Sequence, residues 1–254
     1  SDVIDVNLTG TTSVLRAAAA TGVERVVLTS STAVYGDAPF GGEPVTEATK
    51  PTPTSLYAFT KLAAERLAVQ ARTLDGLDII RARLTAVYGP WEHDTGVRDT
   101  LSPPLQIAAA AAAAAAGSDI DETLIADGGS RDWTHSADIG RALLTLLQAP
   151  TPKHDLYNLG VGETWHPERL CRALARRIPE FKWRRLAANA TGAGPTLAYN
   201  DALDRPRRSP PSAARFLAEF GPLLRPIEDS LDAYADWVVS NAAMVSNATG
   251  PNRR

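Results

Sequence analysis

Along this chain, short continuous apolar runs alternate with longer stretches in which apolar residues recur at helical spacing. That is the pattern of strands buried on both faces between packed helices. Ser1 to Thr21 is predicted as a helix, carrying Val3, Val6, Leu8, Val14 and Leu15 and then the strong helix formers Arg16 to Ala20. Val23 to Ser30, with Val26-Val27-Leu28 at its centre, is the first buried strand. A loop rich in Pro and Gly, Gly36 to Ser55, leads to a helix over Leu56 to Ala71, and Leu77 to Leu84 is the next strand. Pro103-Pro104 opens a helix that Ala108 to Ala116 continues by propensity alone, since a run of alanines specifies no packing face. Further on come a strand and turn over Asp121 to Gly129, an amphipathic helix over Asp138 to Gln148 and a strand over Leu156 to Gly160. Trp165 to Arg177 is predicted as a helix with Leu170, Leu174 and Ile178 inward, and Ile227 to Val239 as a closing helix. Residues 241–254 are expected to form a disordered tail.

Two chemical features stand on these elements. Tyr57 and Lys61 are four residues apart in a helical stretch, so their side chains share one face. An ammonium beside a phenol favours the phenolate, which suits Tyr57 to give and take a proton. Ser31 stands where the first strand runs out, the end of a parallel strand at which ligands bind, and its hydroxyl is placed to hydrogen-bond the same substrate oxygen.

Composition narrows the class. The 254 residues are 44% hydrophobic and 22% charged, ordinary for a globular chain of one or two domains. A net charge of −3 gives no reason to expect nucleic acid or an anionic membrane as a partner. The single cysteine, Cys171, excludes an internal disulfide and a Cys-based metal site, and is expected to be a small buried hydrophobe. No apolar run approaches the ~20 residues of a membrane span and no signal peptide is recognised, so a cytoplasmic location is expected.

Three stretches, Gly22-Val-Glu-Arg-Val-Val-Leu-Thr-Ser-Ser-Thr-Ala-Val-Tyr-Gly36, Pro53 to Glu65 around the Tyr-Lys pair, and Arg83-Leu-Thr-Ala-Val-Tyr-Gly-Pro90, resemble the extended short-chain dehydrogenase/reductases. Within them the closest branch is similar to the NAD-dependent sugar-nucleotide epimerase/dehydratase family. The resemblance runs from about Asp5 to Trp237 and is strongest over roughly the first 160 residues. It implies an α/β fold, a partial doubly wound (Rossmann-like) parallel sheet with a small C-terminal substrate domain. The implied division is 1–90 with 131–160 for the NAD(P)-binding core, and 91–130 with 161–240 for the substrate part.

The resemblance implies Ser31, Tyr57 and Lys61 as the catalytic set, with Thr32 as the fallback for Ser31. NAD or NADP is implied as cofactor, bound by Asn7, Thr29, Ser30, Tyr57, Lys61, Leu84 and Val87. Asn7 lies in Asn7-Leu-Thr-Gly-Thr11, a motif whose Asn lies near the nicotinamide ribose in the family; the other reading is a solvated amide. Ser31, Thr32, Ala86 and Arg131 are implied at the substrate, a nucleoside diphosphate sugar. Arg131 opens Arg131-Asp-Trp-Thr-His-Ser-Ala-Asp-Ile-Gly140, where the family's Arg pairs with the substrate pyrophosphate, a task suited to a guanidinium. The other reading is a surface pair of Arg131 with Asp132, and His135 is expected to be a structural hydrogen-bonder. A C-terminal substrate-contacting Arg has only candidates in Arg205, Arg207 and Arg208.

This sequence departs from the family pattern in three places. The dehydratase branch carries Asp-Glu where Thr32-Ala33 stand, which argues against 4,6-dehydration. The family commonly has Asn at Ala86, which weakens a galactose-type assignment. The glycine-rich turn that cradles the cofactor pyrophosphate is not found ahead of Asn7, so the chain is expected to be either a fragment or a naturally truncated relative with weakened cofactor affinity. The expected activity is hydride transfer at the sugar C4 by a homodimer. A reductase of a non-nucleotide carbonyl or hydroxy compound and a truncated, non-catalytic binding module are the alternatives.

Overall fold

The structure, a computed structural model, describes residues 2–95, 100–118, 122–126, 129–186, 197 and 208–247. In chain order it begins with a helical turn α1 (Asp2–Ile4), a π-helical segment Asp5–Gly10 and helix α2 (Thr11–Thr21). Then follow β1 (Val26–Ser31), α3 (Leu56–Asp75), β2 (Ile79–Leu84), β3 (Ala86–Tyr88) and α4 (Pro103–Ala115). The remainder comprises β4 (Thr123–Ile125), β5 (Trp133–His135), α5 (Ser136–Gln148), β6 (Leu156–Leu159), α6 (Glu168–Ala175), β7 (Trp183–Arg185), α7 (Ala214–Phe220), α8 (Ile227–Ser240) and α9 (Ala242–Asn247). Two compact units result: Ser1–Val87, Asp132–Glu163 and Arg208–Leu224 form one, and Tyr88–Arg131, Thr164–Arg207 and Arg225–Arg254 the other.

The first unit is built on a parallel sheet in the order β1-β2-β6, with Val26 opposite Ile79 and Arg81 opposite Leu156. Because side chains alternate along a strand, this apolar sheet buries both faces. Val26, Leu28 and Ile79 pack with Leu15, Ala18, Ala68 and Ala71 of α2 and α3. Val27, Ile80, Ala82, Tyr157 and Leu159 pack with Ile139, Ala142 and Leu146 of α5 and Phe216 of α7. Helices on both faces of a parallel sheet are the doubly wound α/β arrangement. Phe216 also explains why Arg208–Leu224 belongs to this unit, although the sequence reading places it in the substrate part.

Helix ends follow local chemistry. α2 stops at Gly22 and α3 at Gly76, each in the left-handed region with φ 68°. Ser55 caps α3, its Oγ accepting the Ala58 N–H at 3.2 Å. The helix predicted from Trp165 begins only at Glu168, because Pro167 disfavours helical backbone at the residue before it.

In the second unit α4 packs against α6, α8 and α9. The alanine run has a packing face after all, with Ala108, Ala109, Ala111 and Ala112 buried, because its small side chains let neighbouring helices approach closely. The expected disorder from residue 241 is corrected by α9. Asn241 donates its side-chain amide to the Trp237 carbonyl at 2.9 Å, and Val245 is only 2% exposed in a helix packed on α4. Residues 248–254 lie outside the described residues. Cys171 is buried, and its thiol is pushed well above the ordinary range by that burial. Among the described residues, no helix is long and apolar enough to cross a membrane.

Candidate active site

The site grows from the C-terminal end of β1. Ser31 pairs with Leu84 in the parallel ladder and is the last extended residue, at φ −142° and ψ 145°. Its Oγ accepts the Ala33 N–H at 3.2 Å, capping the 3-10 turn Thr32–Tyr35. The hydroxyl oxygen is thereby held while its proton is left to donate. The chain then turns at Gly36 (φ 58°), where a Cβ would stand 1.9 Å from the Thr52 carbonyl oxygen. Only glycine admits that approach. It brings Thr52 to donate its N–H to Val34 O and its hydroxyl to Tyr35 O, both at 3.0 Å, which pins the long loop.

Helix α3 carries the Tyr-Lys pair over this strand end. Lys61 Nζ donates to the Thr29 carbonyl at 3.4 Å and stands 5.8 Å from the centroid of the Tyr57 ring. Tyr57, in the first turn of α3, is 45% exposed. Burial holds the half-buried Lys61 ammonium below the ordinary lysine range. Asn7 approaches from the π-helical segment, its Nδ2 donating to Thr60 Oγ1 at 3.0 Å, and Thr60 donates to the Tyr57 carbonyl at 2.9 Å. The π turn itself was not foreseen. Its widened backbone is supported by hydroxyls one turn on, Thr11 donating to Asn7 O and Thr12 to Leu8 O at 2.7 and 2.9 Å.

The other residues named from sequence have different surroundings. Thr29 is exposed, and its carbonyl holds Lys61. Ser30 is buried, with its hydroxyl given to Glu65 Oε1 at 2.6 Å, so its side chain faces the helix and not the strand end. Thr32 is half-buried. Leu84 and Val87 pack on the cluster beneath α5. Ala86 donates its N–H to the Asp132 carbonyl at 3.1 Å. Arg131 belongs to the second unit, where its backbone pairs with Trp165. Arg208 lies 4.9 Å over the Phe40 ring, while Arg205 and Arg207 are outside the described residues. His135 Nδ1 accepts the Ala137 N–H at 3.1 Å and caps α5, a structural task.

Asp132 was read only as the possible surface partner of Arg131, yet it is buried. It accepts the N–H groups of Val161 and Gly162 and the Thr134 hydroxyl, each at 3.1 Å. Burial outweighs these bonds and raises its pKa from 3.8 to about 6. Between those values the folded protein keeps a proton that the unfolded chain has released. Asp132 therefore adds stability below about pH 4, and that addition is lost as pH rises through about 6. The advantage of the wild type over Asp132→Asn should shrink by about 2–3 kcal/mol between pH 4 and pH 7. Urea unfolding of both proteins across that range checks it, and a constant difference would contradict it.

Comparison with known proteins agrees with this architecture. Over 214 residues the chain is 29% identical to UDP-glucose 4-epimerase of Streptomyces lividans, covering 77% of this chain and 64% of that protein. Over 163 residues it is 32% identical to UDP-glucuronate 4-epimerase of Thermodesulfobacterium geofontis (strain OPF15), covering 63% and 45%. The chain thus spans less than two thirds of the length of these curated relatives. A solved structure of RMD from Pseudomonas aeruginosa, complexed with NADPH, superposes with TM-score 0.73 at 26% identity, covering 94% of this chain and 74% of that one. The model of the NAD dependent epimerase/dehydratase family matches residues 1–160, the span that contains β1, α3 and β2, and the chain belongs to that family.

Proposed function

We propose that this chain carries the proton-transfer machinery of an NAD(P)-dependent enzyme that epimerises or oxidises a nucleoside diphosphate sugar at C4. The observation that carries the reading is the seating of Lys61 on the Thr29 carbonyl, which sets the Tyr57 helix over the strand end occupied by Ser31. The two 4-epimerase relatives support the substrate class, and the NADPH complex of a structural neighbour supports the cofactor.

The residues present fit the nicotinamide-ribose half of NAD(P). Lys61 is a half-buried cation with a backbone acceptor at 3.4 Å, which leaves N–H groups for ribose hydroxyls, and Asn7 sits on the adjoining turn. When bound, the cofactor supplies the acceptor and donor of hydride at the sugar carbon. Tyr57 takes the proton from the C4 hydroxyl and later returns it. Ser31, its oxygen held by Ala33 N–H, donates to the same sugar oxygen and fixes its direction. Lys61 keeps positive charge beside Tyr57, where it offsets the negative charge that develops on the sugar oxygen and the phenol as the proton moves. Net epimerisation needs the 4-keto sugar to turn its other face before Tyr57 gives the proton back. Incubating the native protein with NAD and either UDP-glucose or UDP-glucuronate, and reading the C4 epimer by NMR, tests the assignment. A second reading, reduction of a non-nucleotide carbonyl compound, is favoured by Ala86, whose methyl offers no hydrogen bond to a sugar. Turnover of simple carbonyl compounds without turnover of either UDP-sugar would establish it.

The functional unit in this reading is a homodimer. Val6 of the π-helical segment and Val14 of α2 are 70% and 61% exposed, and Leu56 and Phe59 are 52% and 61% exposed on α3. A second copy related by a two-fold axis would cover both helices with the same patch. Light scattering at tens of micromolar should give the dimer mass, and Val14→Glu with Phe59→Glu should give a folded monomer. A monomeric wild type would refute it.

A further inference from the structure

Across the three strands of the first unit, Ser30, Arg83 and Asn158 stand side by side in one register row, immediately before the row of Ser31, Leu84 and Leu159. All three are buried, at 4%, 3% and 0% exposure, whereas the other buried positions of these strands are hydrophobic. Glu65 of α3 reaches down to this row. Arg83 donates Nε to Glu65 Oε1 at 2.8 Å and Nη2 to Glu65 Oε2 at 2.7 Å, a two-pronged pair, and the Ser30 hydroxyl donates to Oε1 at 2.6 Å. The Arg83 guanidinium also lies 4.8 Å from the centroid of the Tyr35 ring, and the Tyr35 hydroxyl donates to Asn158 Oδ1 at 2.8 Å.

A desolvated ion pair is a poor source of net stability, because well-packed apolar residues of similar volume often serve as well or better. What it supplies is direction. The contacts of Ala68 and Ala71 with Val26 and Leu28 hold α3 to the sheet but are non-directional, so they tolerate small slides along the helix axis. A fork of two hydrogen bonds to one carboxylate does not. Glu65 is one helical turn beyond Lys61 and two beyond Tyr57, so the three share a face. Its partners Ser30 and Arg83 each precede by one residue the row that ends in Ser31.

We propose that Glu65 and Arg83 are positioning residues whose two-pronged pair sets where Tyr57 and Lys61 stand relative to Ser31, and that the pair acts on turnover more than on stability. The proposal rests on the reading that Ser31, Tyr57 and Lys61 are the reacting groups. A misplacement of about 1 Å is enough to cost on the order of a hundredfold in rate.

The test is the double variant Glu65→Leu with Arg83→Met, assayed beside the single variants Glu65→Asp and Arg83→Lys, which keep both charges and alter only reach and fork. The double variant should melt at or above the wild-type temperature, with kcat on the UDP-sugar lower by at least about thirtyfold and KM within about threefold. Each single variant should lose about tenfold or more in kcat while staying folded. A folded double variant with kcat within threefold of wild type overturns the proposal. If the double variant fails to fold, full turnover by both single variants overturns it, and the predicted loss in them upholds it. If the wild type turns over no UDP-sugar, the activity reading has failed. The positioning claim is then decided by the crystal structure of the double variant, or of Glu65→Asp if the double variant does not fold. A displaced α3 with Lys61 off the Thr29 carbonyl supports it, and an unmoved helix overturns it.

Discussion

Tyr57→Phe should lower kcat by at least about a thousandfold while changing NAD(P) affinity by less than about threefold. The substitution deletes one oxygen and keeps the ring, which is 45% exposed, so the fold loses little packing. Lys61 keeps its seat, because that seat is the Thr29 carbonyl. In the proposed mechanism Tyr57 is the group that removes and returns the C4 hydroxyl proton, so the loss should belong to the chemical step. Steady-state kinetics on UDP-sugar together with calorimetric titration of NAD and NADP separate the two quantities. Turnover within threefold of wild type would remove Tyr57 from the mechanism.

Lys61→Met should show the complementary pattern, with kcat lower by about a hundredfold to a thousandfold and NAD(P) binding weaker by about tenfold or more. Methionine preserves most of the buried stem and removes only the ammonium, which on this account both holds the ribose and offsets the charge that develops during proton transfer. Since burial lowers the pKa of Lys61, its charge is lost at lower pH than for an ordinary lysine. The alkaline limb of kcat/KM in the wild type should therefore begin below the ordinary lysine range, and the variant should lack that limb. Unchanged cofactor affinity in Lys61→Met would contradict the ribose role.

Much of this site was legible in the chain because it is local. The four-residue step from Tyr57 to Lys61 defines a helix face, and the apolar run before Ser31 defines a strand end. The apolar runs at Val26 and Ile79 likewise announce a parallel sheet without further information. Glu65 and Arg83 were illegible because they lie on different elements, 18 residues apart, and meet only where α3 packs on β2. Asp132 looked like half of a surface pair because its neighbour in sequence is Arg131; its actual partners, Val161 and Gly162, are some thirty residues on. The alanine run has no apolar stripe to count, so its buried face depends on partners such as α9, a helix of six residues, Ala242–Asn247, too short to show a helical period in the sequence.

The most direct test of the account follows the C4 hydrogen itself. UDP-glucose carrying deuterium at C4 is incubated with the native protein and catalytic NAD in ordinary water, and the product is examined by NMR. Hydride transfer served by Ser31, Tyr57 and Lys61 predicts the C4 epimer with deuterium retained at C4, absent in Tyr57→Phe. An epimer that has exchanged its deuterium for solvent hydrogen, or undiminished product in Tyr57→Phe, would contradict it.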